Sequence, residues 1–255
     1  MKSYLRFLSR NKLYTAIEVV GLSIALAFVI ILGAVLIDKS QVNDNIKDAD
    51  EIYSMYVDTD WAGSISGTFC NMDEILPTIP QVREWCQFYG ALQLCLKTEK
   101  NDSLLVAPMY VTPNYFTFFG FELTSGRASD ALQANDAVVL SRKVADELFP
   151  HEDPIGKTIS LPMTGDLSAA FLVTEIPDKK DYITYRITGV IDELGKCVLQ
   201  EGDIYLKAVS NSMGRQECMF RTDSPDNIDA ILRSIRSYPA ADEYDRRSLQ
   251  ELGIM

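Results

Sequence analysis

Histidine is almost missing from this sequence: His151 is the only one among 255 residues. A Ser-His-Asp triad would have to use that one imidazole, which sits in the polar stretch His151-Glu152-Asp153, away from any expected strand end or nucleophile. The cysteines at 70, 86, 95, 197 and 218 show no C-x-x-C spacing, and a lone histidine permits no H-x-x-x-H pair, so a zinc site has no ligand pattern to rest on. Neither hydrolase nor metalloenzyme chemistry is supported, and no catalytic, cofactor-binding or metal-binding residue is assigned. Positive charge is also scarce, with 24 basic against 36 acidic residues and a net charge of −12, which disfavours a phosphate-binding surface and excludes a nucleic-acid partner from the reading. The acid pairs Asp73-Glu74, Glu152-Asp153 and Asp242-Glu243 default to solvated surface. Lys179-Lys180 and Arg246-Arg247 are too short, on so acidic a chain, to attract an anionic partner. No repeat and no low-complexity tract is present, which sets aside solenoids and long disordered tails.

Long apolar runs are absent with one exception. Val19 to Ile37 is nineteen residues without a charge, and at ~1.5 Å per residue such a helix reaches roughly the 30 Å hydrocarbon thickness of a bilayer. A buried core helix would show a polar face; here Ser23 is the only clearly polar side chain, and a helix in lipid satisfies it against its own backbone. The run reads as a transmembrane helix. Residues 1 to 37 carry Lys2, Arg6, Arg10 and Lys12 against Glu18, a net of +3, leaving −15 for the rest. The positive-inside rule then puts the N-terminus in the cytoplasm and everything from Asp38 onward outside. A cleaved signal peptide would have a shorter apolar region ending in small residues, whereas this one ends in Val35-Leu36-Ile37, so an uncleaved anchor is expected. Met1 to Tyr14 interleaves aromatic and aliphatic residues with bases, a pattern that suits either an interfacial helix on the cytoplasmic leaflet or plain anchoring flanks.

Beyond a polar juncture at 38 to 50, the spacing predicts an α+β domain. Strands are expected at Ile52–Val57, Val82–Leu96, Leu104–Val111, Ala137–Leu140, Thr158–Leu161, Ala169–Thr174, Tyr182–Ile191, Asp203–Val209 and Cys218–Arg221, with a turn region from Trp61 to Gly67. Met72 to Leu76 reads as a helical turn, and Pro113 to Phe119 as a short aromatic helix ended by Gly120. Ser141 is placed to N-cap a helix carrying Val144, Ala145 and Leu148 until Pro150 stops it. The clearest helix is Asp226 to Ser237, whose Ile228, Ile231, Leu232 and Ile235 form one apolar stripe.

Gly156-Lys157-Thr158 imitates the end of a phosphate-binding loop, but the first glycine of such a loop belongs at position 151, where histidine stands. Pro154 moreover removes a backbone N–H that phosphate would need, and no helical pattern follows Thr158, so nucleotide binding is set aside. Five cysteines are an odd number, so at least one is unpaired unless it bridges to another chain; Cys86 and Cys95, within apolar strands, read as small buried hydrophobes.

Four stretches carry a family resemblance: MKSYLRFLSRNKLYTAIEVVGLSIALAF at the N-terminus, YVTPNYFTFFGFELTSGR from Tyr110 to Arg127, AVVLSRKVADELFPHEDPIGKTI from Ala137 to Ile159, and YRITGVID from Tyr185 to Asp192. The sequence resembles the MacB/FtsX-like permeases of ABC transporters in their N-terminal span and periplasmic core domain. The third stretch is the most specific, and physically its Pro154 and Gly156 shape a turn between a short helix and the next strand, so this signature is scaffold and not active site.

The resemblance implies a cytoplasmic elbow at residues 1–15, a transmembrane helix at 16–37, and a periplasmic α/β subdomain made of 38–115 and 213–255, with a β-rich subdomain, 116–212, inserted into it. It further implies a bacterial inner-membrane location and a homodimer or heterodimer of permease chains. The ATPase, absent from this sequence, would be a separate cytoplasmic subunit whose cycle moves the periplasmic domains to export or extract a cargo or engage a periplasmic partner. Such permeases carry three more spans, which nothing after Ile37 supplies, so the chain reads either as the N-terminal part of a longer permease or as a natural short relative. The alternative of different class is a single-span binding or adaptor protein without transport activity of its own.

Overall fold

The computed structural model describes residues 12–59, 63–70, 72–91, 93–98, 103–162, 182–208, 215–239 and 243–255. They belong to two compact units, Met1–Asp44 and Asn45–Met255.

The described part of the first unit is dominated by one helix, α1, Lys12–Ser40. Its apolar side chains are exposed all round, from Leu22 and Ile24 through Phe28 to Ile37, as expected of a helix whose partner is lipid rather than protein. Ser23 donates to the Val19 carbonyl at 2.7 Å, so the one polar side chain of the run is satisfied within the helix. Thr15–Ser40 is long and apolar enough to cross a membrane. Most of the expected elbow lies outside the described residues.

The second unit is built on a sheet of twelve strands: β1 (Ile52–Thr59), β2 (Gly63–Ser66), β3 (Glu84–Gly90), β4 (Leu94–Thr98), β5 (Ser103–Val106), β6 (Pro108–Val111), β7 (Ala137–Ser141), β8 (Thr158–Pro162), β9 (Tyr182–Ile191), β10 (Ile204–Lys207), β11 (Glu217–Arg221) and β12 (Leu252–Ile254). Their order is β12-β1-β11-β3-β6-β10-β7-β9-β8-β4-β5, with β2 added to β1. Two pairs, β6 with β10 and β7 with β9, are parallel, and the rest are antiparallel. Among the described residues the α-helices after α1 are α2 (Met72–Ile75), α3 (Tyr115–Phe119), α4 (Arg142–Leu148), α5 (Ile228–Arg236) and α6 (Glu243–Gln250).

Three apolar clusters cover the sheet. α3 buries Tyr115, Phe116, Phe118 and Phe119 against Phe88 and Tyr205 in an edge-to-face aromatic core. α5 and α6 lay Ile231, Ile235 and Leu249 on Met55, Val57 and Phe220 of β1 and β11, so the predicted stripe is the buried face of α5. α4 packs Val144 and Ala145 on Val138, Leu140, Ile187 and Leu206. Its start is the one the sequence pointed to, with Ser141 Oγ accepting from Val144 N at 3.4 Å.

Several expectations are corrected. The run Val82–Leu96 is two strands, because the chain leaves the centre of the sheet after Gly90 and Leu94–Thr98 pairs instead with β5 and β8 at its far end. Leu104–Val111 divides in the same way at Ala107: β5 stays with β4, while β6 crosses to lie between β3 and β10. Gly63–Ser66, within the expected turn region, is a strand; pairing with β1 and the Ser64 hydroxyl on Asp58 at 2.5 Å support it where apolar alternation does not. The C-terminal elements α6 and β12 had no sequence expectation. The strand expected at Ala169–Thr174 lies outside the described residues.

Candidate functional site

The residues that drew attention in the sequence do not assemble into a chemical site. His151 is exposed, in the left-handed conformation at φ 66°, in a turn whose other members are occupied with each other. Asp153 Oδ1 accepts from Ile155 N at 3.0 Å, and Lys157 pairs with Glu152 while its ammonium lies 4.7 Å from the Phe149 ring centre. Gly156, at φ +81°, donates its N–H to the Ile187 carbonyl at 2.8 Å, and Thr158 opens β8. Gly156-Lys157-Thr158 therefore joins a helix to a strand, with no helix following it to receive a phosphate.

None of the five cysteines is in a disulfide. Cys86 and Cys218 sit on neighbouring strands but point to opposite faces, since Met219 is opposite Cys86 and Gln87 opposite Cys218. Burial pushes both thiols up, and Thr112 donates its hydroxyl to Cys86 Sγ at 3.2 Å. Among the acid pairs, Asp73 accepts from the Trp85 indole at 3.0 Å. Among the described residues no cluster of three or more His, Cys, Asp or Glu is placed to hold a metal ion.

What the sequence reading missed is the junction segment Asn45–Glu51, the first stretch of the second unit. Ile46 is buried in the aromatic core. Asn45 donates its amide to the Leu194 carbonyl, and Lys47 N donates to Phe119 O at 2.9 Å. Gly120, at φ +77°, lets the segment pass, because a Cβ there would lie 2.6 Å from Lys47 Cβ. The decisive group is Arg221, whose side chain is only 4% exposed. Its guanidinium donates to the carbonyls of Asp48 at 2.9 Å, Phe118 at 2.9 Å and Lys47, and stacks 5.1 Å from the Phe118 ring centre. One side chain thus ties the junction segment to β11 and to the carbonyl end of α3, where a cation is favoured. Nothing local in the sequence signals this, since the Asp48 carbonyl lies 173 positions from Arg221. At the other end of the chain β12 pairs with β1, and Met255 exchanges both backbone hydrogen bonds with Ser54, each at 2.9 Å.

The segment also touches the wall of a cleft. A cavity of about 710 Å³ opens where β7 and β9 end, lined among others by Arg142, Asp192, Leu194, Asp203 and Tyr205. Arg142 Nε meets Asp192 Oδ1 at 2.9 Å, and the guanidinium holds that carboxyl below its ordinary range, helped by a hydrogen bond that the carboxylate accepts from Thr124. Asp203 accepts from Ala107 N at 2.8 Å, and burial pushes the Tyr205 phenol up to about 12. Leu194, whose carbonyl receives Asn45, gives its N–H to Glu201 at 2.7 Å. The cleft wall and the junction segment are consequently hydrogen-bonded to each other.

The sequence matches the MacB-like periplasmic core domain over residues 15–238. The chain belongs to that family. The fold is shared with a permease-protein domain of Porphyromonas gingivalis at 18% identity and a TM-score of 0.61, covering 82% of this chain and 90% of that one. It is shared with the periplasmic region of MacB from Actinobacillus actinomycetemcomitans at 14% identity and 0.54, covering 83% and 90%. A third likeness is to the extracellular domain of the noncanonic ABC-type transporter YknZ from Gram-positive bacteria, at 15% identity and 0.52, covering 80% and 99%. No curated protein matches the sequence. As a MacB-like core domain preceded by one apolar helix, the chain fits a membrane-anchored component of the ABC-permease type rather than a classical enzyme.

Proposed function

We propose that this protein is the membrane-anchored permease component of an ABC transporter, with its N-terminus in the cytoplasm of a bacterium, its span in the inner membrane and its MacB-like domain in the periplasm. It works as a dimer, homomeric or with a second permease. A separate cytoplasmic ATPase supplies the energy, and movement of the anchor is passed to the periplasmic domain, which acts on a cargo or partner there. In this reading the domain has two parts, an α/β part and an inserted β-rich part, and the β4–β5 hairpin goes with the latter because it pairs with β8.

The observation that carries the proposal is the locked junction. A transmitter needs the N-terminal stretch of its periplasmic domain to be fixed to the body of that domain, and here Asn45–Asp48 is held by a buried isoleucine, a backbone bond to α3 and the three carbonyl bonds of Arg221. A flexible linker would dissipate the same motion. The test is purification of the protein, tagged near its N-terminus, from its native membrane in mild detergent. A stoichiometric ATP-binding subunit in the complex is the expected result. Isolation of the chain without any ATPase, but with a periplasmic protein, would instead establish the single-span adaptor.

A further inference from the structure

Two arginines outside the junction stand apart from the other described ones. Arg83, Arg142, Arg215, Arg221, Arg233, Arg236, Arg246 and Arg247 each engage a carboxylate, a carbonyl or another partner. Arg127 and Arg186 alone, among the described arginines, have guanidinium groups with no hydrogen-bond or ion-pair partner. On a chain with 36 acidic residues that is unexpected for a single arginine and more so for two that line the same depression, of about 310 Å³.

Their backbones are fixed to one strand. Arg186 lies within β9, opposite Ala137 of β7 and Thr158 of β8, and its N–H donates to Asp136 O at 2.7 Å. Arg127 follows Gly126, at φ +90°, where a Cβ would come within 2.3 Å of the Thr188 carbonyl, so the loop lies flat on β9. Thr124 N and Ser125 N both donate to Val190 O, at 2.8 and 3.3 Å, and Val190 N returns a bond to Ser125 O at 2.9 Å. Of the depression's other polar groups, Thr188 Oγ1 donates to Ala131 O at 2.6 Å and Gly156 N to Ile187 O at 2.8 Å; the Asp130 carboxylate, whose Oδ1 accepts from Ser129 at 2.8 Å, also lines it, so two cations face one acid. Ile155, 37% exposed, lies at the rim.

We propose that this depression is an oxyanion pocket that receives one carboxylate or phosphate group on the two guanidinium forks. Each fork presents up to five N–H donors in a plane that matches such an anion, and the cavity is at the small end of ligand sites, right for a single group rather than a whole drug-sized molecule. The oxyanion comes either from an acidic segment of a partner polypeptide or from a small phosphorylated or inorganic anion.

The experiment is arginine modification by phenylglyoxal on the full chain in zwitterionic nanodiscs, followed residue by residue by peptide mass spectrometry, with inorganic phosphate and a hexaglutamate peptide as probes. At a probe concentration about twice its dissociation constant, Arg127 and Arg186 should react about threefold more slowly, with the other arginines unchanged. Arg127→Gln should abolish protection of Arg186, and Arg186→Gln that of Arg127; both side chains are exposed, and far-UV circular dichroism checks that the fold is kept. Protection by hexaglutamate alone supports the pocket and assigns its occupant to a polypeptide, whereas protection by phosphate supports it with a small anion. Rates of Arg127 and Arg186 that neither probe changes, or protection of Arg186 that survives Arg127→Gln, overturn the proposal.

Discussion

Replacing Arg221 by methionine keeps the bulk of the side chain and removes every donor from the junction. Three carbonyl oxygens, of Lys47, Asp48 and Phe118, lose their partner around a side chain that is 4% exposed. Hydrogen bonds from a charged donor contribute ~1.5–3 kcal/mol each, so three bound the loss from above at roughly 9 kcal/mol. Relief from burying a guanidinium, and water reaching the half-open side of Asp48, lower the figure to about 3–4 kcal/mol. Arg221→Lys keeps the charge but not the planar fork, and should lose about half as much. Asp48→Asn tests the rival cause, attraction to the Asp48 carboxylate at 3.9 Å, and should cost below ~1 kcal/mol because that carboxylate is 55% exposed. The assay is hydrogen exchange at the Lys47 amide, which is bonded to Phe119 O, alongside the urea midpoint of the whole chain in detergent. A loss of ~3 kcal/mol appears as a roughly 100-fold fall in protection. If Arg221→Lys behaves like the parent, or Asp48→Asn matches Arg221→Met, the carbonyl clamp is the wrong explanation.

Gly126→Ala places a methyl group 2.3 Å from Thr188 O at φ +90°, and should destabilise the second unit by about 3 kcal/mol, seen as a lower urea midpoint; a loss under ~1 kcal/mol would show that the loop yields. Native-state maleimide labelling at neutral pH should modify Cys197 alone, and slowly, because burial raises its thiol and reduces the thiolate, while the buried Cys70, Cys86, Cys95 and Cys218 react only after unfolding; early labelling of Cys86 contradicts this packing. Asp192 is held below the ordinary carboxylate range by Arg142, so its contribution to stability is present above pH ~4 and is lost as pH falls through the lowered value. The difference in urea midpoint between the parent and Arg142→Gln should therefore be present at pH 7 and vanish in strong acid, and a difference that persists there would refute the linkage.

Elements that depend on near neighbours were legible. Ser23 satisfied within α1, the Ser141 cap, the stripe of α5 and the aromatic face of α3 all arise from interactions within a few residues, where periodicity and capping chemistry act. The end of β3 at Gly90 and the break at Ala107 were not, because a continuous apolar run looks alike whether it stays beside one neighbour or changes places in the sheet. β12 escaped for the related reason that three residues, Leu252–Ile254, carry no period and become a strand only by pairing with β1.

The anchor with its flanking charge and the scaffold character of the Asp153–Lys157 turn followed from residue types and spacing alone, since lipid solvation, charge and turn chemistry are properties of short segments. The junction clamp and the unpaired arginine pair were decided by tertiary structure. Arg221 looks like the polar end of an apolar strand until folding brings the Lys47, Asp48 and Phe118 carbonyls to it, and Arg127 and Arg186, 59 positions apart in the sequence, share a depression only because the loop of Arg127 lies on β9, which carries Arg186. Buried polar groups must find partners wherever the chain places them, and that placement is a property of the whole sheet rather than of any stretch of sequence.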